Sequence, residues 1–209
     1  MKNLYGNLKM SWFSVILFAI AAGVYTGAVM LIGALDGTSF QDIGVSHEWW
    51  VIFAVIIVVN CEKNWEAMLK CFLFFVISQP VIYAVEVLFG PLTIDMAIYY
   101  YRSFWLVMTF LTLPGGFIAY YCKKQNVLGA VVMGLGNAIQ AILGVSYLMK
   151  TVSDFPHHIL TTIVCFGSIL LMSFEIQKES KYRLISILVP VVLTVLALIF
   201  MAMTGRTLA

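Results

Sequence analysis

Seven runs of apolar residues, most of them about twenty residues long, follow one another along this chain with only short polar breaks between them. A helix needs roughly 20 apolar residues to cross the hydrocarbon core of a bilayer, and only a helix or a closed barrel satisfies its backbone there. The runs fall at 11–35, 47–61, 65–89, 96–122, 127–149, 156–174 and 182–203. Composition agrees. The chain is 62% hydrophobic and 11% charged, where a soluble domain has about 45–50% apolar and roughly 25% charged residues. The expectation is an all-α integral membrane protein, a bundle of seven transmembrane helices in a single domain with the lipid bilayer as its solvent. The net charge of +2 comes without a basic tail or stripe, so nothing suggests a nucleic-acid partner.

Charge orients the bundle. Lys2, Lys9, Lys63, Lys70, Lys123, Lys124, Lys178, Lys181 and Arg183 flank alternate loops, which leaves Arg102, Lys150 and Arg206 on the other side. Short loops rich in Lys and Arg stay in the cytoplasm, so the N-terminus is expected inside and the C-terminus outside. That requires an odd number of crossings. Deleting the short second span would invert all later ones and destroy the bias. With nine Lys to three Arg, the basic set points to an AT-rich bacterial host and its cytoplasmic membrane. The first run is longer than the 7–15 residue apolar core of a signal peptide and reads as a retained anchor. Cys61, Cys71 and Cys122 fall at inner ends and Cys165 within span 6, which suits a reducing cytosol.

Span 2 crosses if its helix starts in the interface at His47 or Glu48, with Trp49 and Trp50 at the outer headgroup level. A re-entrant segment is the alternative. Asn64 is placed to cap the next helix, with Glu66 in its first turn and Lys70 one turn further as an i,i+4 partner.

Charges inside a membrane are costly, and each is by default a candidate functional site. Glu86 falls near the outer end of span 3 and Arg102 near the outer end of span 4. An ion pair between them reads either as a staple between helices or as a binding pair at an outward vestibule. Tyr83 shares the Glu86 face by helical spacing, and Trp105 is one turn from Arg102. A deeper polar layer contains Gln79, Asn137 and Gln140, with Asn137 and Gln140 three apart and so on one face. Pro80, Pro114 and Pro190 interrupt their helices and are expected to act as hinges, since proline removes a backbone donor. The stripes Ala130, Gly134, Ala138 and Ala141, and Gly136, Gln140 and Gly144, make span 5 a packing centre.

Proline also occurs in the third member of each triplet of spans, in Ile77-Ser78-Gln79-Pro80 and in Ile185-Ser186-Ile187-Leu188-Val189-Pro190. The arrangement resembles, in topology, the three-plus-one-plus-three layout of sugar and vitamin facilitators of the SWEET and PnuC type. No residue role follows from that resemblance.

Catalytic signatures such as HExxH, GxSxG, the P-loop or GxGxxG do not occur. His47, His157 and His158 all fall on the outer side without metal-ligand spacing, and Pro156 is expected at the first helical position of span 6. Neither a cofactor, a metal nor an enzymatic reaction is expected. The functional expectation is a small-solute transporter or a substrate-binding membrane component. Arg102, Glu86, Trp105 and Tyr83 would hold a polar-aromatic solute at the outer mouth, with Gln79, Asn137 and Gln140 deeper in. Proton coupling is expected to be slight, because the midplane carries no acid or base. The alternatives are a non-catalytic accessory, immunity or assembly protein, joined to a membrane partner or to copies of itself, and a membrane-embedded enzyme.

Overall fold

A computed structural model describes residues 8–204, the side chain of Val45 excepted. Lys2 and Arg206, two members of the charge pattern, lie outside the described residues. The described chain is helical and contains no strand. Its α-helices are α1 (Trp12–Met30), α2 (Ser39–Val45), α3 (His47–Val59), α4 (Asn64–Phe89), α5 (Ile94–Tyr100), α6 (Leu106–Ala119), α7 (Val127–Ser153), α8 (Ile159–Ile176) and α9 (Ser180–Thr204). A π-helical segment, Tyr101–Trp105, joins α5 to α6. Among the described residues, six helical stretches are long and apolar enough to cross a membrane, with Ile94–Lys123 counted as one. Their outward faces are apolar, as with Phe13, Leu17 and Val24 of α1 or Val192, Leu196 and Phe200 of α9, which suits a lipid surround. The thirteen residues of α3 span only about 20 Å at 1.5 Å each, short of the roughly 30 Å core.

Packing divides the chain into two compact units that part between Tyr120 and Tyr121. In the first, 8–120, α1 lies along α4. A Cβ on Gly23 would come within 2.7 Å of the Ser78 carbonyl oxygen, and one on Gly27 within 2.7 Å of Val85 Cβ. Only glycine allows that approach, so α1 and α4 touch backbone to side chain over a full turn. The two helices run parallel. Lys70 Nζ donates to the Met10 carbonyl at one end, and Gly90 abuts Leu31 at the other. Between them the chain must return, and α3 returns it, with Trp50 against Phe74 and Phe75 and Ala54 beside Cys71. α6 then runs antiparallel to α4, with Gly116 against Ala67 and Met68, Phe110 against Phe72, and Tyr120 donating to the Glu62 carbonyl.

The turn into α4 forms as its sequence suggests. Glu66 Oε2 accepts the Glu62 N–H at 2.8 Å, and Glu66 pairs with Lys70 at 2.5 Å. Lys63 rather than Asn64 occupies the cap position, and the Asn64 side chain accepts the Trp65 N–H. Lys70 is only 3% exposed and lies over the Trp12 ring, so this charge is held by three partners at the end of the unit. Trp50 corrects its expected headgroup placement. It is 7% exposed, packed among Phe53, Phe74 and Phe75, with its indole N–H on the Gly44 carbonyl at 2.9 Å.

In the second unit, 121–204, α7 is the centre. Gly134 meets Val189 of α9, and Gly144 meets Cys165 and Phe166 of α8. Ala130, Ala138 and Ala141 are buried, as the first small-residue stripe implies. Gly136 departs from the second stripe, since a Cβ there would touch nothing within 4 Å. α8 begins at Ile159 rather than at Pro156, because His158 adopts φ 62°, outside helical geometry. Thr151 and Thr162 hydrogen-bond across α7 and α8 at 3.0 Å. The triplets also differ in which member is the packing centre: in the first unit it is the third member, α4, and in the second it is the first, α7.

Candidate functional site

Gln79, Tyr83 and Glu86 are spaced i, i+4 and i+7 on α4, which puts them on one helical face. The structure brings all three to one cavity of about 260 Å3, together with Trp105, Tyr100, Trp50 and Thr26. Trp50 and Thr26 are positioned by a shared acceptor: the Gly44 carbonyl takes the Trp50 indole N–H at 2.9 Å and the Thr26 hydroxyl at 3.0 Å. Gly44 itself can only be glycine here, since a Cβ would stand 2.9 Å from Thr26 Cα. Trp105 and Tyr83 line the same cavity. The Trp50 wall is therefore fixed by a bond that uses its one polar group.

Two residues that line the cavity carry a polar atom without a partner. Gln79 is 2% exposed and its Nε2 has no hydrogen-bond partner, and Glu86 Oε1 is likewise buried and unpartnered. An amide or carboxylate left unsatisfied in a low-dielectric interior costs about 1–3 kcal/mol, more for a charge. Such groups normally have partners; Ser78 Oγ, Thr109 Oγ1 and Asn137 Oδ1 share that state elsewhere, and Gln79 and Glu86 are the two whose residues line this cavity. Glu86 also lines a second cavity of about 350 Å3 with Met30, Leu31, Pro91, Leu92 and Met96. Met30, Glu86 and Leu92 border both. The carboxylate thus stands at the neck between the inner cavity and the helix ends at Leu31 and Pro91.

Arg102 is elsewhere. It is exposed and lines a shallow depression with Asp95, Tyr99 and Ser103, and no ion pair joins it to Glu86 among the described residues. The staple and the binding pair expected between these two charges both fall on this geometry. The π-helical segment explains the miss. Three residues apart, Arg102 and Trp105 share a face of an α-helix, but five-residue hydrogen-bonded turns change that phase. Such segments occur frequently at functional sites, and this one places Trp105 on the cavity and turns Arg102 out.

Asn137 and Gln140 belong to the second unit and are fully buried. Asn137 Nδ2 donates to Ser173 Oγ at 2.9 Å and to the Ser186 carbonyl at 3.2 Å. The Ser186 carbonyl is the one that Pro190, four residues later, leaves without its helical N–H. Asn137 therefore acts as the joint of α7, α8 and α9. Pro80 and Pro114 likewise lie within α4 and α6. Pro80 sits beside Gln79, where it frees the Val76 carbonyl of the same helix.

Sequence reasoning missed the walls made by Thr26, Gly44 and Trp50. It also missed the α1 glycines, though Gly23 and Gly27 show the small-xxx-small spacing that marks close helix pairs. No protein-family model, no curated protein and no solved structure matches this chain.

Proposed function

We propose that the chain is a multi-pass membrane protein that binds a small solute in the cavity beside Gln79 and Glu86, either as a transporter or as the substrate-binding membrane component of one. The single observation that carries this reading is the pair of unpartnered polar atoms, Gln79 Nε2 and Glu86 Oε1, on two residues that line one aromatic-walled cavity. Apolar walls with a few convergent polar groups are the usual make-up of small-molecule sites. Gln79 and Glu86, with Tyr83 and Trp105 as stacking walls, are the residues of that site. Asn137 is assigned to packing rather than to solute, and Arg102 is left out of the cavity.

The topology we adopt has seven crossings, the N-terminus inside and the C-terminus outside. It draws support from the parallel course of α1 and α4, which needs a crossing between them, and from the gathering of lysines at one end of each unit. Lys63 and Lys70 share the Met10 end of the first unit. Arg183 bonds the Gln177 and Lys178 carbonyls, and Gln177 those of Cys122 and Lys124, at one end of the second. A bacterial cytoplasmic membrane fits the lysine-rich charge pattern. A second reading, an accessory or assembly subunit, is favoured by the second unit, where Asn137 and the Thr151–Thr162 pair are spent on helix contacts.

A thermal-shift screen of the purified protein against small metabolites tests the proposal, with Gln79→Leu measured beside it. A ligand stabilises its protein by about 2.7 kcal/mol at a hundredfold excess over Kd. A stabilising compound whose effect is lost in Gln79→Leu is expected. Compounds that stabilise both proteins alike would exclude this cavity as the site, and a screen without any hit would favour the accessory reading.

A further inference from the structure

The solute cavity has a sign. Its lining contains one carboxylate, Glu86, and no lysine, arginine or histidine among the described residues. The Trp50 indole N–H is already on the Gly44 carbonyl, which leaves Gln79 Nε2 as an unpartnered donor among the lining residues. Around the cavity stand a carboxylate with an unpartnered oxygen and the rings of Trp50, Tyr83, Tyr100 and Trp105. Ring faces carry negative potential and attract ammonium groups, most strongly where water is excluded. An anion would meet the same faces and the same carboxylate as repulsion.

We infer that the cavity takes a small organic cation, an amine or quaternary ammonium. Its positive end sits at Glu86 within the aromatic walls, and a hydrogen-bond acceptor further along the molecule meets Gln79 Nε2. Gln79 and Glu86 are seven residues apart on α4, about 10 Å at 1.5 Å per residue, so the ligand spans two helical turns or bridges the gap with water. The inner cavity, about 260 Å3, falls just below the range of about 300–1,000 Å3 usual for small-molecule sites, which limits the ligand to metabolite size. The shared border of the two cavities at Met30, Glu86 and Leu92 makes the carboxylate the first charge an entering cation meets. This inference rests on the solute-binding reading above.

Thiol chemistry tests the sign without knowledge of the natural ligand. The native cysteines Cys61, Cys71, Cys122 and Cys165 are all buried, so a cysteine introduced at Leu92, on the border of both cavities, reports locally. Met30→Cys serves as a second reporter should Leu92→Cys fold poorly. The probes are two methanethiosulfonates of similar size, the cationic trimethylammonium-ethyl reagent and the anionic sulfonatoethyl reagent, applied to the full chain in detergent. Faster modification by the cation, by about tenfold, with the ratio falling towards that of a free thiol in Glu86→Gln, is the expected result. Modification by both reagents at ratios that Glu86→Gln does not change would overturn the cation inference and leave a water-accessible cavity for the solute. If neither reagent reaches either reporter, the inference and the solute-binding reading fail together.

Discussion

At Asn137 one side chain closes a gap that another residue opens. Pro190 cannot donate to the Ser186 carbonyl, and the Asn137 amide does so across the helix boundary at 3.2 Å while also holding Ser173. Removing a buried hydrogen-bond donor and leaving its acceptors unpaired costs about 1–3 kcal/mol. Asn137→Leu is therefore expected to lower stability by about that much in a detergent thermal melt. In a Pro190→Ala background the restored backbone N–H takes over the Ser186 carbonyl, so the same substitution should cost less there. Additivity of the two changes in a double-mutant cycle would show that Asn137 is not the proline's complement. The polar residues of the midplane were legible in the sequence because lipid makes each of them costly. Their partners were not. Glu86 and Gln79 read as candidates from composition alone, but the same evidence gave Arg102 equal standing. The five-residue π turn at Tyr101–Trp105 breaks the 3.6-residue phase on which that inference depended, and nothing in its side chains announces it.

Among the elements, α1 and α4 form the closest pair of the first unit, held together by the absence of side chains at Gly23 and Gly27. A Cβ on Gly23 already falls 2.7 Å from the Ser78 carbonyl oxygen and 2.8 Å from Val81 Cβ, so a branched side chain has no room without parting the helices. Gly23→Val should destabilise the protein by at least the roughly 1–3 kcal/mol typical of overpacking and should abolish any stabilisation by a cavity ligand, since α1 and α4 both wall the cavity. Gly136→Ala, where nothing lies within 4 Å, should leave stability unchanged or slightly higher. Equal losses in the two melts would mean that the α1–α4 contact is not the tight one. Helix positions were legible to within a few residues because hydrophobic length fixes them. The larger departures are α1, which ends at Met30, five residues before the expected end of its span, α7, which runs to Ser153, four residues past it, and α8, whose start the left-handed His158 postpones to Ile159. These ends border turns, where the apolar count does not record a change of backbone direction. The role of α3 was read from charge bookkeeping alone. The structure gives it a second basis, since α3 joins the far end of α1 to the near end of a helix that runs parallel to α1.

For the whole molecule, everything proposed about function depends on which face the Glu86 neck opens to. If α3 carries the chain across, the ends at Leu31 and Pro91 lie opposite the lysine-bearing turns, and the cavity opens away from the cytoplasm, where it meets solutes arriving from outside. If α3 is re-entrant, Ile32 and Lys63 lie on the same face, and the positive-side pattern of the later loops has no physical cause. Both positions are exposed, which makes them suitable reporters, and the buried native cysteines keep the background low. The deciding measurement is labelling of Ile32→Cys and Lys63→Cys with a membrane-impermeant maleimide, in intact cells and again after permeabilisation. An outward solute cavity predicts that Ile32→Cys is labelled in intact cells and Lys63→Cys only once the membrane is opened. Labelling of both under the same condition would contradict it, and the reverse order would turn the cavity to the cytoplasm.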